Sequence, residues 1–144
     1  MDEVIGFTDE RGMSLLEHCL SSRKFDIAEY LLNNNARVNV VSKEGCNEFH
    51  YIASNINCEG ALKIAKILLE RGTSLREKDI KYGNSAIYTL CHEILKVCSN
   101  EGLEFMKECL KNTKEFDDCN KKGFSIRTLI NERGTEALKQ LLIE

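Results

Sequence analysis

Three histidines, seven cysteines and paired carboxylates such as Asp117 and Asp118 are the residues of this chain with chemistry within reach. Cys91 and His92 are sequence neighbours, as a thiol nucleophile and its base would be if the backbone delivered both to one site. On a helix, however, residues i and i+1 point about 100° apart, so this pair does not readily form a thiolate–imidazole couple. The cysteines (Cys19, Cys46, Cys58, Cys91, Cys98, Cys109 and Cys119) are odd in number and include no Cys-x-x-Cys pair. Neither a disulfide framework nor a zinc site built from local ligand pairs is expected. Cys19, Cys91 and Cys109 read instead as small apolar core residues. His18, His50 and His92 fall near equivalent ends of short helices, with no Ser, Cys or Asp phased beside them as a triad requires. Asp117 and Asp118 lie in an extended connection and read as solvated surface. There is no phosphate-binding Gly loop, dinucleotide fingerprint or His-Glu-x-x-His. The expectation is a non-enzymatic protein without metal or cofactor.

Bulk properties narrow the class further. With 144 residues, 42% of them apolar, the chain suits one domain or a short repeat array with a folded core. Its 20 basic and 23 acidic residues are interspersed and sum to −3, which speaks against a nucleic-acid or membrane-surface binder. The opening Met1–Gly12 stretch is acidic, with no basic-then-apolar signal pattern. No run approaches the roughly 20 apolar residues of a membrane span. A cytoplasmic location is expected.

The elements that position these side chains recur. "GMSLLEHCL" at Gly12 is echoed by "GCNEFHYIA" at Gly45, "GNSAIYTLC" at Gly83 and "GFSIRTLIN" at Gly123, at intervals of 33, 38 and 40 residues. The second halves also match: "FDIAEYLLNNNARVN" from Phe25, "LKIAKILLERGTSLR" from Leu62, "LEFMKECLKNTKEFD" from Leu103 and a shortened "EALKQLLIE" from Glu136. Four units result, roughly 9–41, 42–79, 80–119 and 120–144, within one domain spanning 1–144. Each has a Gly turn, then Ser14, Asn47, Ser85 or Ser125 to cap a short first helix. A second helix follows and ends at a residue that accepts a left-handed conformation, Asn35 or Gly72. The first of these second helices is apolar enough to predict burial on two sides, between preceding and following units. The longer intervals are assigned mostly to "SNINCEG" and "HEILKVCSNEG". In the latter, Ile87, Leu90, Cys91, Ile94 and Cys98 keep helical spacing, which predicts a first helix about two turns longer.

This pattern resembles the ankyrin repeat. The matching residues are Gly12, Ser14, Leu16, Leu31, Leu32, Ala36, Val38 and Asn39 in the first unit, and Gly45, Phe49, His50, Ala53, Gly60, Leu68, Leu69 and Gly72 in the second. The resemblance implies an all-α fold, a solenoid of helix-turn-helix units joined by extended hairpin-like turns. It also implies that His50 makes a structural hydrogen bond to a neighbouring turn. The family's Thr-Pro is absent from all four units, the Pro position being held by Leu15, Glu48, Ala86 and Ile126. Arg127 takes a normally buried Leu position; with Lys139 and Gln140 it marks the last unit as a cap with a wet outer face.

A stack of such units places first helices and turns along one concave side. The turn residues Arg11, Met13, Lys43, Glu44, Lys81, Tyr82, Asn84, Lys121, Lys122 and Phe124 are therefore the candidate partner-binding set. Tyr82, Phe124 and Met13 would be anchors, and Lys43, Lys81, Lys121 and Lys122 steering charges for an acidic patch on a protein partner. The expected function is a protein-binding module, monomeric by itself, acting as an inhibitor or immunity-type protein that covers one cognate partner. Two alternatives stay open: a thiol- or metal-responsive sensor using Cys91, Cys98 and Cys109, or a regulatory fragment of a longer ankyrin-containing protein with "MDEVIGF" in place of a capping repeat.

Overall fold

The computed structural model describes residues 8–113 and 115–143. Met1–Phe7, and with them the expectation that "MDEVIGF" stands in place of a capping repeat, lie outside the described residues. The chain is mostly helical: α1 (Leu15–Ser21), α2 (Phe25–Asn33), α3 (Glu48–Ala53), α4 (Ala61–Glu70), α5 (Ala86–Val97), α6 (Asn100–Thr113), α7 (Ile126–Arg133) and α8 (Glu136–Leu141). Among the described residues there are only two isolated bridges and no strand, and no helix is long and apolar enough to cross a membrane.

Helix starts follow from capping chemistry. Ser14, Asn47, Ser85 and Ser125 each hold an extended backbone, and their side chains accept amides of the first turns of α1, α3, α5 and α7. Glu17, His50 and Thr128, three residues on, reach back to the cap's own amide and close a capping box. At the other ends, Asn35 and Gly72 take positive φ, 63° and 78°, as their residue types predict.

The helices pack as pairs, α1 with α2, α3 with α4, α5 with α6 and α7 with α8. Pairs then stack in chain order: α1, α3, α5 and α7 touch in series, as do α2, α4 and α6. Leu16, Phe49, Leu90 and Ile130 of the first helices and Leu31, Leu68, Leu110 and Leu138 of the second fill one continuous core. At about 1.5–3 kcal/mol for each fully buried large side chain, this burial is the main term holding pair to pair.

Two expectations need correction. Burial of α2 on two sides fails: Ile27 and Tyr30 are 47% and 51% exposed, whereas Ile64, Phe105 and Leu138 at the position of Ile27 are sealed. The reason is positional, since each of those three packs behind an earlier helix pair and no pair precedes α2 among the described residues. Cys98 does not continue α5. It ends the helix with φ 56° and is exposed, so the added length of α5 stops at Val97.

The shorter insertion has a structural task. After α3, Asn55 donates to the carbonyls of Leu20 and Ser21 at 3.0 and 3.3 Å and accepts from Arg23 Nε at 3.0 Å, tying it to the first pair. Asn57 donates to Glu93 O at 2.8 Å, on the third. "SNINCEG" is thus a clasp between neighbours, which satisfies the open carbonyls at the α1 C-terminus.

Candidate functional site

The four Gly turns share one construction. Asp9, Ser42, Asp79 and Asn120 open them; each donates its amide to a residue just after the glycine, Met13 O, Cys46 O, Asn84 O and Phe124 O, at 2.8–3.0 Å. The glycine amide returns to the carbonyl of the opening residue at 2.9–3.2 Å. Inside each loop the opening side chain accepts further amides, such as Arg11 N and Met13 N on Asp9 Oδ1, or Lys122 N and Phe124 N on Asn120 Oδ1. These bonds, led by the one from Met13, hold the Asp9 carboxyl below its ordinary value.

Successive turns are then linked backbone to backbone. Lys43 N donates to Arg11 O, Ile80 N to Glu44 O and Lys121 N to Tyr82 O, at 2.8, 2.8 and 3.0 Å. Gly45 shows how close the approach is. With φ at 83°, a Cβ there would lie 2.8 Å from Lys78 O of the next turn. The turn edge is a stiff, hydrogen-bonded rail that displays side chains without spending its own polar groups on solvent.

Between rail and first helices lie two adjoining hollows. One, of about 720 Å³, is bordered by Lys43, Cys46, Tyr51, Ile80 and Tyr82; the other, of about 460 Å³, by Tyr82, Tyr88, His92, Phe124 and Leu129. Tyr82, Asn84 and Thr89 belong to both. Ile80, Tyr82 and Phe124 are each about half exposed or more, at 62%, 48% and 49%. Tyr88 and His92 stack at the floor of the second hollow, ring centroids 6.2 Å apart.

The ten turn residues singled out in the sequence divide sharply. Lys43, Glu44, Lys81, Tyr82 and Asn84 border the first hollow, and Lys122 and Phe124 the second. Met13 is the correction: it is 2% exposed and cannot be an anchor, because both its main-chain groups are tied to Asp9 at the closed base of the turn. Asn84 is a connector, its carbonyl accepting from His50 Nε2 at 3.0 Å and its side chain from Asn120 at 2.8 Å. Arg11 and Glu44 pair with each other at 2.5 Å. Lys121 donates to Ile80 O, and Lys81 sits 5.1 Å from the Tyr82 ring centre.

Charge at the hollows is therefore uneven. Glu44 is taken by Arg11, Asp79 by the amides of Tyr82 and Gly83, and Glu93 by Lys96, while Glu132 borders the second hollow next to Arg133. Lys43, Lys81 and Lys122 have no acidic partner among the described residues. Farther along, Asp117 and Asp118 are exposed but bonded, to Arg127 at 2.6 and 3.2 Å and to Lys78 at 2.8 Å. The Arg127 guanidinium holds the Asp117 carboxyl below its ordinary value.

The residues sequence reading missed are Ile80, Tyr51 and the Tyr88–His92 stack. Ile80 had a signal: the Asp79 turn closes on Asn84 five residues on, the others four residues on, so one of the extra residues of the second interval sits in this turn. The thiols of the sensor reading are separated by environment. Cys91 and Cys109 are buried in the core, and burial pushes both thiols up, Cys109 to about 12. Few thiolates form under those conditions, and the thiolate is the reactive species. Cys98, exposed, donates to Leu95 O at 3.3 Å. Among the described residues no three His, Cys, Asp or Glu side chains gather as a metal ion needs. Comparison of the chain with protein-family models gives no match, and comparison with curated proteins gives none either.

Proposed function

We propose that this chain is an ankyrin-type repeat stack that binds a protein partner along its turn edge, seating apolar side chains in the two hollows and meeting acidic groups with Lys43, Lys81 and Lys122. One observation carries the reading. Exposed apolar groups (Ile80, Tyr82, Phe124) stand on a backbone already satisfied by its own hydrogen bonds, beside lysines that hold no ion pair among the described residues. A rigid support lowers the ordering cost of binding, and large half-exposed side chains beside surplus charge are the usual ingredients of anchor and steering. Covering one cognate protein, as an inhibitor or immunity-type partner does, is the use this edge suits best.

Capture under native conditions tests it. The immobilised chain should retain a protein at near one-to-one stoichiometry, and a Lys43→Glu/Lys122→Glu variant should release it. No stoichiometric partner, or one held equally by the variant, counts against the reading.

A further inference from the structure

The third position of the first helices carries Glu17, His50, Tyr88 and Thr128 in turn. His50 shows what that position does between units. Its Nδ1 accepts from Asn47 N at 3.2 Å, while Nε2 donates across the joint to Asn84 O at 3.0 Å, in the next turn. Glu17 begins the same way: Oε1 accepts from Ser14 N at 3.0 Å, closing its capping box. Yet Glu17 is fully buried and its Oε2 has no hydrogen-bond donor. A buried carboxylate oxygen without a donor costs several kcal/mol, so it demands an explanation.

The repeat supplies one. The counterpart of Asn84 in the earlier turn is Cys46, one residue past Gly45 as Asn84 is past Gly83. Cys46 O accepts from Ser42 N at 2.8 Å, as Asn84 O accepts from Asp79 N at 3.0 Å, leaving each a second lone pair toward the preceding unit. We infer that Glu17 is a protonated carboxylic acid that donates from Oε2 to the Cys46 carbonyl, replacing the imidazole bridge of His50 with a proton-dependent latch between the first and second units.

The surroundings favour the neutral acid. Burial is the leading cause that pushes Glu17 up to about 8, and Glu48 and Asp9 add like charge. From α3 the facing groups are Glu48, which spends both oxygens on Asn39 N and Val40 N, and Tyr51, bonded to Ser42. From the turns they are Asp9, which holds His18 at 2.5 Å, the Cys46 thiol, and the Arg11–Glu44 pair. On α2, Asp26 is exposed and Glu29 pairs with Lys63. Arg11 is engaged by Glu44 and exposed, and no cation is among the groups that act on Glu17, so a carboxylate there is uncompensated. The sign follows. A carboxyl whose folded value lies above its ordinary 4.5 contributes stability fully below 4.5 and loses it as pH rises through about 8.

The test is a carboxyl-carbon NMR titration of Glu17 together with thermal melts from pH 5 to 9 of the wild-type chain, Glu17→Gln and Glu17→Ala. The expected result is a midpoint near 8, a wild-type melting temperature that falls as pH rises from 6.5 to about 8, no such fall for Glu17→Gln, which keeps a donor without a charge, and a lower melting temperature for Glu17→Ala at pH 5. A Glu17 midpoint near 4.5, or a Glu17→Gln profile that falls as the wild type does, would overturn the latch. The wild-type titration decides the matter even where a variant does not fold.

Discussion

The two sides of the Gly turns have opposite characters. Facing inward, at the joints between helix pairs, Glu17, His50 and Gly45 are buried, crowded and bonded to the neighbouring unit or hidden from water. Facing outward, Ile80, Tyr82 and Phe124 stand about half exposed or more and Lys43 is exposed, with no acid to hold the lysine. The same hydrogen-bonded loops thus do two jobs that can be separated. Inward groups should govern stability, and outward groups affinity, because few side chains serve both faces.

Gly45 gives the largest effect by which to break this division. Gly45→Ala places a methyl 2.8 Å from Lys78 O at a φ of 83°, and should cost about 3 kcal/mol in denaturant unfolding. Gly123→Ala has the same φ of 83° with nothing within 4 Å of the new Cβ, and should cost only about 1 kcal/mol. Equal losses would mean that the inter-turn approach is not what the second glycine protects.

His50 sharpens the comparison within the inward class. Replacing it with Ala removes the bridge to Asn84 and the box at Asn47, and should cost about 1–3 kcal/mol. Its burial holds the imidazole below its ordinary 6.5, so its contribution is complete above 6.5 and is lost as pH falls toward the folded value. That dependence runs opposite to that of Glu17. His50→Gln should flatten the acid side of the melting profile and leave the alkaline side alone; an unchanged acid side would show that His50 charges without breaking its bond.

Much of this arrangement was legible because it is local. Ser14, Asn47, Ser85 and Ser125 cap helices by chemistry confined to four residues, and Asn35 and Gly72 announce left-handed ends by type alone. The bridge from His50 to the next turn came from the ankyrin resemblance and is present at 3.0 Å. What the chain hid depends on neighbours. Met13 and Phe124 both follow a turn glycine, yet one is sealed and the other half exposed. Ile27 and Ile64 share a repeat position and differ only in whether a helix pair lies in front. Asp117 and Asp118 are on the surface as expected, but their partners, Arg127 and Lys78, are 10 and 40 residues away. The orphaned Oε2 of Glu17 could not be anticipated, since a Glu at a capping-box position is normally wet.

The smallest expected change in stability belongs to the outward class and bears on the central claim. For a Tyr82→Ala/Phe124→Ala variant, the dissociation constant of the captured partner and the melting temperature of the free chain should be measured side by side. The account predicts binding weakened at least about thirtyfold with a melting temperature moved by no more than about 2 °C. Unchanged affinity in a variant that melts normally would contradict the assignment of the turn edge as the binding surface.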